Sequence, residues 1–203
     1  GGECGQFSTT GAQNTFVGYK AAKGITGAKL TGNNNTAVGY QSGLLLQGAA
    51  TLNTFVGVDS GVAVTTGTGN TLIGALAGDA LQAAADNVAV GNEALTTETG
   101  GQNNVAVGPY ALQAQVNSSG NIFNTAVGSR AGASTTTGSA CTFVGGLSGR
   151  YATTADNSTF VGNNAGARIT GTKLTGNNNT AVGANAGLLL QGGAAENCIF
   201  GTF

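Results

Sequence analysis

The chain has 203 residues, of which only seven are Lys or Arg and eight are Asp or Glu, with a formal net charge of -1 and no histidine. So little charge leaves no basic stripe for nucleic acid and no cationic face for a membrane surface. No apolar run approaches the roughly 18 residues that span a bilayer, so no membrane insertion is expected. The 37 glycines would suit a disordered chain, yet fixed columns of Val and Phe argue for a packed core.

Those columns come from a nine-residue frame, seen at Asn35–Gly43 as N-T-A-V-G-Y-Q-S-G. Full copies start at Asn14, Asn35, Asn53, Asn70, Asn87, Asn104, Asn124, Cys141, Ser158 and Asn179, and a truncated copy starts at Asn197. Successive starts lie 17 to 21 residues apart, which marks a solenoid. The sequence therefore predicts an all-β solenoid of about eleven coils, with residues 1–203 forming one elongated repeat domain.

Within each coil the second to fourth positions are mostly β-branched or aromatic and lie between Asn and Gly, which predicts a short strand. Alternation sends positions two and four to one face. That face is expected to be the inside, with Val17, Val38, Val56, Ile73, Val90, Val107, Val127, Val144, Val161 and Val182 as the coil core. The third position, for example Phe55, Leu72 and Ala89, would then point outward and pack under the coil's own loop or against another subunit. Glycine at every fifth position fits positive φ or close backbone approach, and the eighth is always Ala or Ser where present. Repeated Asn at the strand entrance predicts an amide ladder from coil to coil.

The spacers are rich in Thr, Ser and Gly, and longer ones such as Lys23–Asn34 and Ala167–Asn178 are expected to bulge as loops. Ile25–Gly48 returns nearly intact as Ile169–Gly192, the mark of a duplicated block. Sequons at Asn34, Asn117, Asn157 and Asn178 follow from the Asn- and Thr-rich repeat itself.

The frame N-T-A-V-G-x-x-A-G with Thr-Gly spacers resembles the repeats of trimeric autotransporter adhesin heads and of phage tail-fibre shafts. That resemblance covers almost the whole chain. It implies a left-handed β-roll, trimeric in assembly, on the outside of a cell or in a virion tail, with adhesion or fibre building as its role.

Chemistry is thinly provided. Without His, the eight carboxylates Glu3, Asp59, Asp79, Asp86, Glu93, Glu98, Asp156 and Glu196 form the acid-base inventory, and no enzyme activity, metal or cofactor is expected. Asp59 and Glu93 share the seventh position two coils apart, roughly 10 Å at ~4.8 Å per coil, which is the nearest approach to a catalytic pair. A Thr array for ice is disfavoured at this level, because the second-position Thr row is expected to be internal.

Position 1 is not Met, which points to a processed chain and, with a cleaved secretion signal, to an extracellular or cell-surface location. The expected partner is the chain itself, in a head-to-tail homopolymer with lateral or trimeric association also open. The junction residues would be Gly1, Gly2, Cys4, Asn197, Cys198, Phe200 and Phe203. Asn197–Phe203 supplies seven frame positions, and Gly1 and Gly2 of a following copy would supply the eighth and ninth. Cys4 and Cys198 could then staple neighbouring chains.

Overall fold

The computed structural model describes residues 1–117, 120–167 and 172–202. Phe203 and residues 169–171, which open the second copy of the duplicated block, lie outside them. The described chain is a parallel β-solenoid of 10 to 11 turns with no helix among the described residues. Its strands are β1 (Thr15–Val17), β2 (Thr36–Val38), β3 (Thr54–Val56), β4 (Thr71–Ile73), β5 (Val88–Val90), β6 (Gly101–Gln102), β7 (Val105–Val107), β8 (Gly120–Asn121), β9 (Thr125–Val127), β10 (Thr142–Val144), β11 (Thr159–Val161), β12 (Thr180–Val182) and β13 (Cys198–Phe200). Eleven form one sheet in the order β1-β2-β3-β4-β5-β7-β9-β10-β11-β12-β13, while β6 pairs with β8 alone.

Each pair is parallel and matches like frame positions, as in Thr36 with Thr54, Ala37 with Phe55 and Val38 with Val56. The strands of the long sheet stay three residues long because the backbone leaves the β region on both sides. The residue before each frame is left-handed, including Leu52 at φ 59° and Phe123 at φ 58°, and the fifth-position glycines have φ between 123° and 138°. Those glycines are required by contact as well as by φ. A Cβ on Gly108 would lie 2.6 Å from the carbonyl carbon of Gly128, the next glycine in the column.

The coil core differs from the sequence-based expectation. Position three faces inward: Ala37, Phe55, Leu72, Ala89, Ala106, Ala126, Phe143, Phe160 and Ala181 are fully buried. Val17, Val38, Val56, Ile73, Val90, Val107, Val127, Val144, Val161 and Val182, expected as the core, are half-buried or exposed on the outer face. Alternation fixes only which residues share a face, and with both faces apolar it does not choose the inner one.

Volume makes the choice. In the thin coil the inward third position meets the ninth of the same coil, so Phe55, Leu72, Phe143 and Phe160 at three stand with glycine at nine. A Cβ at Gly149 would collide with the ring of Phe143, and one at Gly61 with Phe55 and Leu72. Where the third residue shrinks to Ala89 or Ala106, Leu95 or Leu112 occupies the ninth position and is itself fully buried. Phe143 and Phe160 on successive coils stack with ring centroids 5.8 Å apart. Leu46, Leu81, Leu30 and Leu174 close the far side of the core.

Extra residues leave this stack undisturbed. In the longer spacer after β1, Leu30 turns inward and bridges to Gly48, and in the duplicated block Leu174 bridges to Gly192 in the same way.

The inward and outward assignments separate on substitution. Ala126→Asp places an unpaired charge in the core and is expected to cost more than ~3 kcal/mol. Val127→Asp, one residue on but facing solvent, should change stability by less than ~1 kcal/mol. Urea midpoints of the two variants provide the measurement, and equal losses would contradict the assignment.

Candidate functional site

Three features have geometry beyond ordinary packing: a buried amide ladder, a buried carboxylate cradle and the exposed face of the long sheet. The ladder grows from the first-position asparagines, of which Asn35, Asn53, Asn70, Asn87, Asn104, Asn124 and Asn179 are fully buried. Asn70 shows the pattern. Its backbone N–H donates to Asn53 Oδ1 at 3.0 Å, its Nδ2 donates to the same oxygen at 3.2 Å and to the Ala84 carbonyl across the coil at 2.8 Å. Its own Oδ1 then accepts from the N–H and Nδ2 of Asn87. At Cys141 the thiol takes over the cross-coil donation, to Ala155 O at 3.0 Å, while its N–H reaches Asn124 Oδ1 at 2.9 Å. Ser158 accepts the N–H of Asn179 through Oγ, and the amide ladder resumes from Asn179 to Asn197.

Glu98, one of the eight carboxylates of the acid-base inventory, is completely buried. Its Oε1 accepts from the N–H groups of Thr99, Gly100, Gly101 and Asn117, at 2.8 to 3.1 Å. Its Oε2 accepts from Gln115 Nε2 at 2.8 Å and from Asn117 Nδ2 at 3.4 Å. Gln115 Oε1 in turn accepts from Asn124 Nδ2 at 2.9 Å, which joins the cradle to the ladder. The only hint in the sequence is positional: Glu98 and Gln115 sit where Leu46, Val64 and Leu81 line the core of other coils.

The remaining carboxylates do not converge. Asp59 and Glu93 are held by left-handed backbone at their seventh positions with Leu76 between them in the column. Glu93 Oε2 accepts from Gln113 Nε2 at 2.8 Å. Asp79 accepts from the Thr96 hydroxyl, and partial burial raises its pKa. Glu3 pairs with Lys23, whose hydrogen bond lowers the Glu3 pKa. Among the described residues no group of three or more His, Cys, Asp or Glu could hold a metal.

The outer sheet face carries two columns. The second-position column is Thr15, Thr36, Thr54, Thr71, Val88, Val105, Thr125, Thr142, Thr159, Thr180 and Cys198, beside the half-exposed Val and Ile of position four. The hydroxyls of these eight threonines make no hydrogen bond to the described protein. No ionisable group other than the Cys198 thiol stands in either column.

The expected junction residues lie at the two ends in a different register. Gly1 and Gly2 hold the fifth and sixth positions, not the eighth and ninth. A Cβ on Gly1 would lie 2.7 Å from the carbonyl carbon of Gly18, and Gly2 O accepts from Lys20 N as Tyr19 O accepts from Gln41 N. Cys4 follows at the eighth position, where its Sγ donates to Phe16 O at 3.2 Å, as Ser42 Oγ donates to Phe55 O. Asn197 closes the ladder on Asn179, Cys198 faces out with the Thr column, and Phe200 is 71% exposed. A hollow of about 100 Å³ beside Phe200 is lined by Asn185, Ala186, Gly187 and Ile199. Cys4 therefore points into its coil and Cys198 away from its sheet, and all three cysteines are free.

The sequence matches no protein-family model, no curated protein and no solved structure. No helix among the described residues is long and apolar enough to cross a membrane.

Two outcomes follow from these contacts. Glu98→Ala should lower stability by about 3 kcal/mol or more, because the N–H groups of Thr99, Gly101 and Asn117 lose their acceptor inside the coil, Gly100 N alone keeping a second one at Asn117 O. Glu98→Gln keeps one acceptor but sets an amide N–H₂ against Gln115 Nε2, so its urea midpoint should fall between those of the other two proteins. Burial raises the Cys141 thiol to about 11. At pH 8 native-state alkylation, read by mass spectrometry of peptides, should therefore modify Cys198 and spare Cys141 until urea unfolds the chain.

Proposed function

We propose that the chain is a structural subunit of an extracellular filament in which copies stack head to tail as one continuous β-solenoid. The observation that carries this reading is the pair of strand edges at opposite ends of the long sheet. The outer edges of β1 and β13 pair with no strand among the described residues. Both edges present the same frame, so a parallel contact with Asn197 facing Asn14 and Ile199 facing Phe16 would repeat the register of every internal pair. Exposed edges of this kind template further strands, and a heterologous contact that does not close produces a fibre.

The register of Gly1 revises how such a junction would be built. β13 of one copy would take the strand position below β1 of the next, and Gly1 would continue at position five. The hollow over Ala186 and Gly187 would receive Cys4 and Gly5, the eighth and ninth positions of the shared coil.

A second reading, an adhesive or receptor-binding shaft like those the repeat frame resembles, draws support from the exposed pair Tyr19 and Tyr40. Their rings stack at 5.8 Å and Lys20 Nζ lies 5.0 Å from the Tyr19 centroid, an aromatic patch of the sort that surface partners engage.

Electron microscopy of the purified 203-residue chain tests the filament. Rods many times the roughly 50 Å length of one stack are expected, and Phe200→Lys should shorten them to single particles. Discrete ~50 Å particles of the unaltered chain at high concentration would refute the reading.

A further inference from the structure

We infer that the outer face of the eleven-stranded sheet is a binding surface for crystalline water, taking the surface of ice as its ligand. The inward turn of position three makes this possible, since it sends the threonine column, which alternation alone would have allowed inside, to the solvent.

Three properties of the face select this ligand. First, it is a two-dimensional grid. Every strand pairs with its neighbour position for position, so like residues repeat along the stack at ~4.8 Å and the two columns stand ~6.7 Å apart across each strand. Both repeats are close to spacings of water oxygens on faces of hexagonal ice. The amide ladder behind the strands is the kind of side-chain ladder that keeps a stacked sheet near flat. Second, its chemistry is that of ordered water. Eight threonine hydroxyls are left to solvent, each with a donor and acceptors available, while the Thr, Val and Ile methyl groups between them leave water to order around apolar surface. Third, the grid holds no charged side chain, which matches a neutral lattice and would give an ionic partner nothing to hold.

Area argues against a protein on the same face. A strip about 50 Å long with columns ~7 Å apart offers on the order of 350 Å². A stable protein contact needs roughly 800 Å² from each partner. A crystal surface needs no such area in one patch, because the contact is repeated row by row.

Ice itself is the probe. The purified chain is expected to produce thermal hysteresis with faceted ice crystals in a nanolitre osmometer, and to be taken up into a slowly grown ice hemisphere. The double variant Thr71→Lys/Thr125→Lys, which interrupts the grid twice, should lose both effects. Thr66→Lys/Thr137→Lys, with the same added charge on exposed spacer residues, should keep them, and circular dichroism and melting temperature of both variants should match the parent. Absence of hysteresis and of ice uptake in the unaltered chain would overturn the proposal. So would equal loss in the two double variants, or a laterally associated dimer in sedimentation that the grid variant alone dissolves, since a second copy would then cover the face. If the grid variant fails to fold, single Val90→Lys on the neighbouring column serves in its place with the same two outcomes.

Discussion

The buried amide ladder is the constraint from which the rest of the solenoid follows. An Asn side chain taken out of water must satisfy one carbonyl oxygen and two N–H groups, and each unmet group costs about 1–3 kcal/mol. Asn70 meets that demand only if Asn53 lies directly below, Asn87 directly above and the Ala84 carbonyl across the coil. The ladder therefore sets axial register and coil width together. Spacers can grow by several residues, as they do before Asn35 and Asn179, provided the chain returns to the same point. Cys141 shows how narrow the demand is: with one donor and no amide its side chain keeps the cross-coil bond and gives up the axial donation, leaving only its backbone N–H on Asn124 Oδ1.

A coil this narrow has to turn sharply, and it does so at a cost. Twenty-four described non-glycine residues have positive φ, among them Leu52, Tyr110 and Arg130. Left-handed backbone at such residues costs roughly 1 kcal/mol each. Most of their N–H groups nonetheless find carbonyls one coil away, as Tyr110 N does at Asn92 O and Arg130 N at Pro109 O, both 2.9 Å. Stacking thus offsets strain that an isolated coil could not hold, so stability belongs to the array more than to any one repeat. The cradle around Glu98 extends the same logic to a wider coil, where a carboxylate gathers four backbone N–H groups at a turn.

The strand frame, the glycine column and the Asn ladder were legible because each is a repeated residue with one physical reason for its place. The inward face was not, because Thr and Val at positions two and four look as suitable for a core as Ala and Phe at position three. A usable signal existed in the pairing of sizes: Phe143 stands with Gly149 and Phe160 with Gly166, Ala89 with Leu95 and Ala106 with Leu112, and where Ala37, Ala126 and Ala181 stand with Gly43, Gly132 and Gly187 the side chains of Phe55, Phe143 and Leu190 fill the space instead. Compensation of volume is what a packed interior requires and a solvated face does not. The left-handed turns were hidden for a different reason. Leu, Tyr and Phe have no local preference for positive φ, so tertiary stacking alone places them there. The burial of Glu98 was not legible because one acidic residue in a core column gives no sign of the donors that a neighbouring turn brings to it.

The two proposed contact surfaces lie at right angles. The strand edges point along the axis and the Thr–Val grid runs beside it, so stacking copies through β13 and β1 leaves the grid uncovered. A junction in the frame register would also carry both columns across the boundary, with Cys198 beside Thr15 and Phe200 beside Val17. Phe200 is the one position-four residue that is neither Val nor Ile, and its ring would interrupt the outer row once in every eleven strands. In such a filament any ligand that reads the grid would meet long uniform segments with a regular break at each subunit, and its contact area would grow with the length of the stack. Growth and surface binding then depend on the same register, because the ladder that sets one coil on the next also sets the spacing of the rows outside.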